Sequence, residues 1–115
     1  MQIITRSVNS NPIFADIHEQ LRELNYVRFA SEAAYSMEFS DRQELDQAIR
    51  RAIEICMTAG LHLEDHFKRI YICTESGIVT DWKLSIYGYQ LVCLNGSPSN
   101  ENVARMQTSL VKSMS

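Results

Sequence analysis

The chain is expected to fold as an α+β domain, mostly helical, with about five helices and one small antiparallel β-hairpin in a winged-helix-like arrangement. Three observations lead there. Apolar residues recur at three- and four-residue steps through most of the sequence, which is the pattern of amphipathic helices. One stretch, Ile70 to Leu84, changes to period two around a turn at Ser76 and Gly77, which marks paired strands. No linker, repeat or low-complexity segment divides the 115 residues, so positions 1–115 read as a single domain.

Met1 to Ser10 opens with Ile3 and Ile4 and closes in a polar Asn/Ser cluster, the pattern of a tail or an edge strand. Asn11 and Pro12 then start a helix, because Asn caps free amides and Pro at the first helical position loses no hydrogen bond. Ile13, Phe14, Ile17, Leu21 and Leu24 put one apolar stripe on it, and Asn25 ends it. Tyr26 to Phe29 reads as an extended link, and Ser31 to Met37 as a short helix built on Ala33, Ala34 and Met37. Ser40 with Gln43 three positions on forms a capping box for the longest helix. Leu45, Ala48, Ile49, Ala52, Ile53 and Cys56 face inward along it, while Arg42, Asp46, Arg50 and Glu54 form an outer ladder of charges. Gly60 closes it, since glycine enters the left-handed region without a Cβ penalty. After a helical turn at His62 to Phe67 comes the hairpin. Ser85 caps the next helix, which carries Tyr87, Leu91, Val92 and Leu94 to a stop at Asn95 and Gly96. Ser97 and Pro98 restart a final helix with the stripe Val103, Met106, Leu110 and Met114.

Composition excludes several function classes. Hydrophobic residues at 45% and charged residues at 22% are ordinary globular values. A formal charge of −3 argues against a broadly basic nucleic-acid-coating protein, although a local basic face is compatible with it. Cys56, Cys73 and Cys93 are odd in number and far apart, and read as reduced, buried thiols of a cytoplasmic protein. The N-terminus lacks the pattern of a signal peptide, and no apolar run approaches the ~18 residues a bilayer span needs, so no membrane association is expected.

Two blocks, Ala52 to Phe67 and Asp81 to Leu110, carry a family pattern. The first presents Ala52, Glu54, Cys56, Gly60, Asp65, His66 and Phe67. The second runs from Asp81 through Leu84, Ser85 and Tyr87 to Leu91, Asn95, Gly96, Pro98, Val103, Ala104, Gln107 and Thr108. In order and spacing these resemble the N-terminal domain of the DNA-damage-inducible protein D group, related to BRO N-terminal and phage antirepressor domains. Phe29 to Phe39 falls where such proteins carry a helix-turn-helix-like segment. The resemblance implies a non-enzymatic bacterial or phage regulator of damage response, recombination or repression, with no cofactor. Under it Phe67 is a core anchor, and Asp65 and His66 fix the turn. The chain departs from the pattern at Ile86, Ser99 and Asn100, where the family tends to basic residues, and at Ser97, where it has an acid.

Candidate sites follow. For DNA they are Arg28, Arg50 and Arg51, with Lys68, Arg69 and Lys83 converging around the hairpin; a solvated ladder with acidic neighbours is the competing reading. For a protein partner, a recombination or repair protein or a second copy, they are Ile86, Met106, Leu110 and Met114; packing of that last stripe on the first helix competes. His62 and His66 share a helical face, but no third ligand accompanies them, so no metal is expected. Ser85, Ser97 and Ser99 lack a nucleophile-elbow setting, and no catalytic residues are assigned.

Overall fold

The structure is a computed structural model that describes residues 12–115, with side chains from Asp16 onward. The reading of Met1 to Ser10 as tail or edge strand lies outside the described residues. In chain order the elements are α1 (Pro12–Asn25), β1 (Arg28–Phe29), α2 (Ala30–Ser36), α3 (Arg42–Thr58), a 3₁₀ turn (Leu63–Asp65), β2 (Phe67–Thr74), β3 (Gly77–Leu84), α4 (Ile86–Leu94) and α5 (Glu101–Ser113). This is the expected α+β, mostly helical class. The hairpin gains a third strand: β1 pairs antiparallel with β3, Arg28 opposite Leu84 and Phe29 opposite Lys83, so the sheet order is β1-β3-β2. Two residues are too short to display an alternating pattern, which is why the link read as unpaired.

The core gathers where α2, α3, α4 and α5 meet the base of the sheet. Ala30, Ala33 and Met37 come from α2 and its cap, Leu45, Ala48, Ile49, Ala52 and Cys56 from α3, Phe67 and Leu84 from the sheet, and Val92, Cys93 and Val103 from the last helices. The inward face of α3 is thus the expected one, with Ile53 at its margin. Tyr87 and Leu91 likewise pack at the edge of the core rather than inside it. Full burial of a side chain such as Leu84 contributes about 1.5–3 kcal/mol.

The caps are partly as expected. Gly60 follows α3 at φ 79°. Ser85 Oγ accepts from the Gly88 N–H at 3.0 Å at the start of α4. The cap of α3, however, is Asp41, whose carboxylate accepts from the Glu44 N–H at 2.9 Å, and not Ser40 with Gln43. Ser40 is engaged elsewhere, because its N–H and hydroxyl both donate to Glu44 Oε1. Similarly α5 starts at Glu101, capped by Asn100, while Ser97 and Pro98 belong to the preceding turn. Gly96 is fixed by crowding: a Cβ there would stand 2.5 Å from Phe39 Cε1 and 2.7 Å from Val103 Cγ2. The hairpin closes one residue earlier than expected, with Thr74 opposite Gly77 and Glu75 and Ser76 at the tip.

Two features depart further from the expectations. Ile17, Leu21 and Leu24, the described stripe of α1, face outward, and the helix is held by its polar side. Arg22 donates to Asp65 at 3.1 Å, and Asn25 to the Asp65 carbonyl. Cys73 is exposed on β2, whereas Cys56 and Cys93 are buried as read, their thiols pushed up by burial. Among the described residues no helix is long and apolar enough to cross a membrane.

Candidate nucleic-acid interface

The order α1, β1, α2, α3, β2, β3, with β1 returning to β3, sets a helix-turn-helix against a wing. The turn is Met37 to Asp41, and Glu38 takes a left-handed φ of 55° within it. α3 is the second helix of this unit and lies beside the wing.

Register divides the charges of the wing. Lys68 stands opposite Lys83, and Arg69 opposite Trp82. Facing residues share a side of the sheet and neighbours alternate, so both lysines project to one face and Arg69 to the other. Of the three cations expected to converge, only the two lysines meet, around Glu23 of α1, and Arg69 does not join them: Lys68 Nζ donates to Oε2 at 2.6 Å and Lys83 Nζ to Oε1 at 3.4 Å. The hydrogen bond from Lys68 holds the Glu23 carboxyl below its usual range, and the same bond raises Lys68. These cations are compensated inside the fold, by a carboxylate more than 40 residues away in the chain.

The opposite face carries the open positive charge. Arg42, Asp46 and Arg50, one turn apart on α3, line a cleft of about 370 Å³ with Arg69, Thr80 and Trp82 of the wing, floored by Ile49 and Ile53. Arg42 is fixed by Asp46 at 3.0 Å and by the Thr80 carbonyl at 3.1 Å. The outer ladder therefore forms at its first rung. Arg50 has no carboxylate partner among the described residues, and Arg69 lies over the Trp82 ring at 5.3 Å. Trp82 in turn meets Phe67 edge to face, the ring centroids 6.4 Å apart, which anchors the cleft to the core.

The remaining candidates disperse. Arg28 lies over Tyr89, 5.8 Å from its ring centroid. Arg51 donates to the Asn95 carbonyl at 2.6 Å, closing the C-terminus of α4. Gln107 does the same for the Leu94 carbonyl at 2.7 Å. His66 Nδ1 meets the buried Ser85 hydroxyl at 2.7 Å, and the Ser85 N–H donates to the His66 carbonyl, so Ser85 is a cap locked on both sides. Phe67 is buried in the core, as expected. Asp65 differs, since its carboxylate secures α1 rather than its own turn. Asp81 is buried and accepts from the N–H and hydroxyl of Ser31, stapling α2 to β3. Among the described residues no group of His, Cys, Asp and Glu is placed to hold a metal.

Comparison with protein-family models, curated proteins and solved structures finds no match to this chain. The chemistry of the cleft is therefore defined by its own side chains. Guanidinium groups beside an aromatic ring suit phosphates and bases. Arg42 and Trp82 were not among the sequence candidates. The turn expected at Ser76 and Gly77 would set Arg69 opposite Leu84, whereas the tip at Glu75 and Ser76 sets it opposite Trp82, which is why that ring was missed.

The partner candidates are spread over α4 and α5. Ile86 is exposed at the first turn of α4. On α5 Met106 packs against the core, while Leu110 and Met114 are 49% and 79% exposed. α5 packs on α4.

Proposed function

We propose that this chain is a non-enzymatic, DNA-associated regulatory module that binds the phosphate backbone through α3 and the wing. The observation that carries the reading is the Arg42–Arg50–Arg69–Trp82 cleft between a helix-turn-helix and a wing, with Arg50 and Arg69 free of carboxylate partners among the described residues. The net charge of −3 fits a confined contact rather than a coating one. A role in damage response, recombination or repression accords with the family resemblance of the two sequence blocks.

Binding is expected as a rise in fluorescence anisotropy of labelled duplex or single-stranded DNA at low salt. It should fall steeply as salt rises, and each of Arg50→Ala and Arg69→Ala should lower the slope against log salt by about 1. Lys68→Ala should change the slope little, because Glu23 already neutralises that charge. Absence of binding by tens of micromolar protein at about 50 mM salt refutes the proposal.

A second reading, a module acting on a recombination or repair protein without touching DNA, is favoured by the exposed Leu110 and Val111 on α5 and Met114 at its C-terminal cap. It expects that Leu110→Glu abolishes binding to a purified recombination protein. An interaction untouched by that substitution removes α5 as the interface.

A further inference from the structure

We propose that the outer edge of β2 pairs antiparallel with the same edge of a second copy of this chain, about a two-fold axis through Ile72, joining two sheets into one. The sheet order β1-β3-β2 leaves that edge without a strand partner among the described residues. Open edges are ordinarily blunted by proline, by bulges or by inward charges. From Ile70 to Thr74 there is none of these, and the β2–β3 register is continuous from Phe67 to Thr74.

The side chains of this outer half match an interface rather than a solvated tip. Tyr71 is 67% exposed and Ile78 69% exposed on the face that carries Arg69, and Ile72 and Val79 are exposed on the other. Pairing through β2 would extend both apolar strips across the axis, which no single-faced contact does.

Charge selects the register. A two-fold that reverses the strand must set some residue opposite its own copy. With Ile72 on the axis, Arg69 falls opposite Glu75 of the second copy, twice, Tyr71 opposite Cys73, and Ile70 opposite Thr74. Centring on Ile70 instead sets Asp65 against Glu75, and centring on Tyr71 or Cys73 leaves Arg69 without an acid. Opposite charges directly across a ladder stabilise it, and like charges destabilise it. Because such an axis is perpendicular to the sheet, the two clefts would open on the same side. The pairing itself does not depend on nucleic-acid binding, and in the paired state Arg69 is shared with Glu75 of the second copy, so Arg50 is the cation left to the cleft.

Sedimentation velocity of the full chain, without nucleic acid, tests this. A concentration-dependent dimer is expected. Ile72→Lys, which places two ammonium groups on the axis, should weaken association by at least about tenfold, and Arg69→Glu should weaken it too. Combining Arg69→Glu with Glu75→Arg should restore it, which also shows that the loss was not misfolding. A monomer at roughly 100 μM overturns the proposal, as does a dimer insensitive to Ile72→Lys. A dimer that Arg69→Glu leaves unchanged overturns the register.

Discussion

Glu44 ties two turns distant in sequence to one carboxylate. It is buried, and its carboxylate accepts from the Ser40 N–H at 2.7 Å, the Ser97 N–H at 2.9 Å and the Asn100 amide, joining the turn before α3 to the turn before α5. Burial alone would raise its pKa; the hydrogen bonds from Ser40, Ser97 and Asn100 outweigh that and bring it below the usual range. A depressed folded pKa contributes stability that is present above the unfolded value, about 4.3, and lost as pH falls through the folded one. Glu44→Gln should therefore lower the free energy of unfolding by about 1–3 kcal/mol at neutral pH, since an amide turns one donor toward another. In urea titrations the gap between the two proteins should narrow on acidification below the ordinary carboxylate range; a gap independent of pH would contradict this account. In sequence the residue looked like an ordinary acid in the first turn of a helix. Gly60 and Ser85 were readable because a cap is a local event, whereas the donors to Glu44 from Ser97 and Asn100 come from the far end of the chain.

At the scale of elements the junction of α1 with the wing is the most informative. Glu23 is shared by Lys68 and Lys83, which are brought side by side only because β2 and β3 pair in that register. These groups are each more than a third exposed or close to it, so the pair is screened and its value lies in orienting α1 rather than in stability. Glu23→Gln should release both lysines yet leave DNA affinity at low salt nearly unchanged, because they face away from the cleft; a several-fold rise in anisotropy titrations would show that the lysine face meets DNA as well. The helix itself was legible from its stripe, but the direction of that stripe was not. Periodicity reports that a helix has an apolar side, and ion pairs with residues distant in sequence decide where that side points. The start of α5 failed for a different reason: Ser97, Ser99 and Asn100 are all competent caps, and only the contacts of Asn100 with Met37 and Glu44 distinguish it.

Across the whole molecule, the positive charge is partitioned rather than pooled. Lys68 and Lys83 are compensated on one face of the wing, Arg51 closes a helix, and Arg50 and Arg69 share the cleft on the other face. Composition reports only the sum, so that division was invisible to it. The element order was largely readable, because turn and cap residues punctuate it; the third strand was not, because its partner lies far along the chain. That pairing of β1 with β3 has a kinetic consequence. The β2–β3 hairpin closes over the short tip at Glu75 and Ser76, whereas setting Arg28 opposite Leu84 requires a loop holding most of the helix-turn-helix and the hairpin itself. Loop closure over such a span costs entropy before any contact rewards it, so the hairpin can form early as a local unit and β1 docks late. The same strand is then the first part of the sheet to open, so its amides should exchange with solvent while those at the base of the hairpin stay protected.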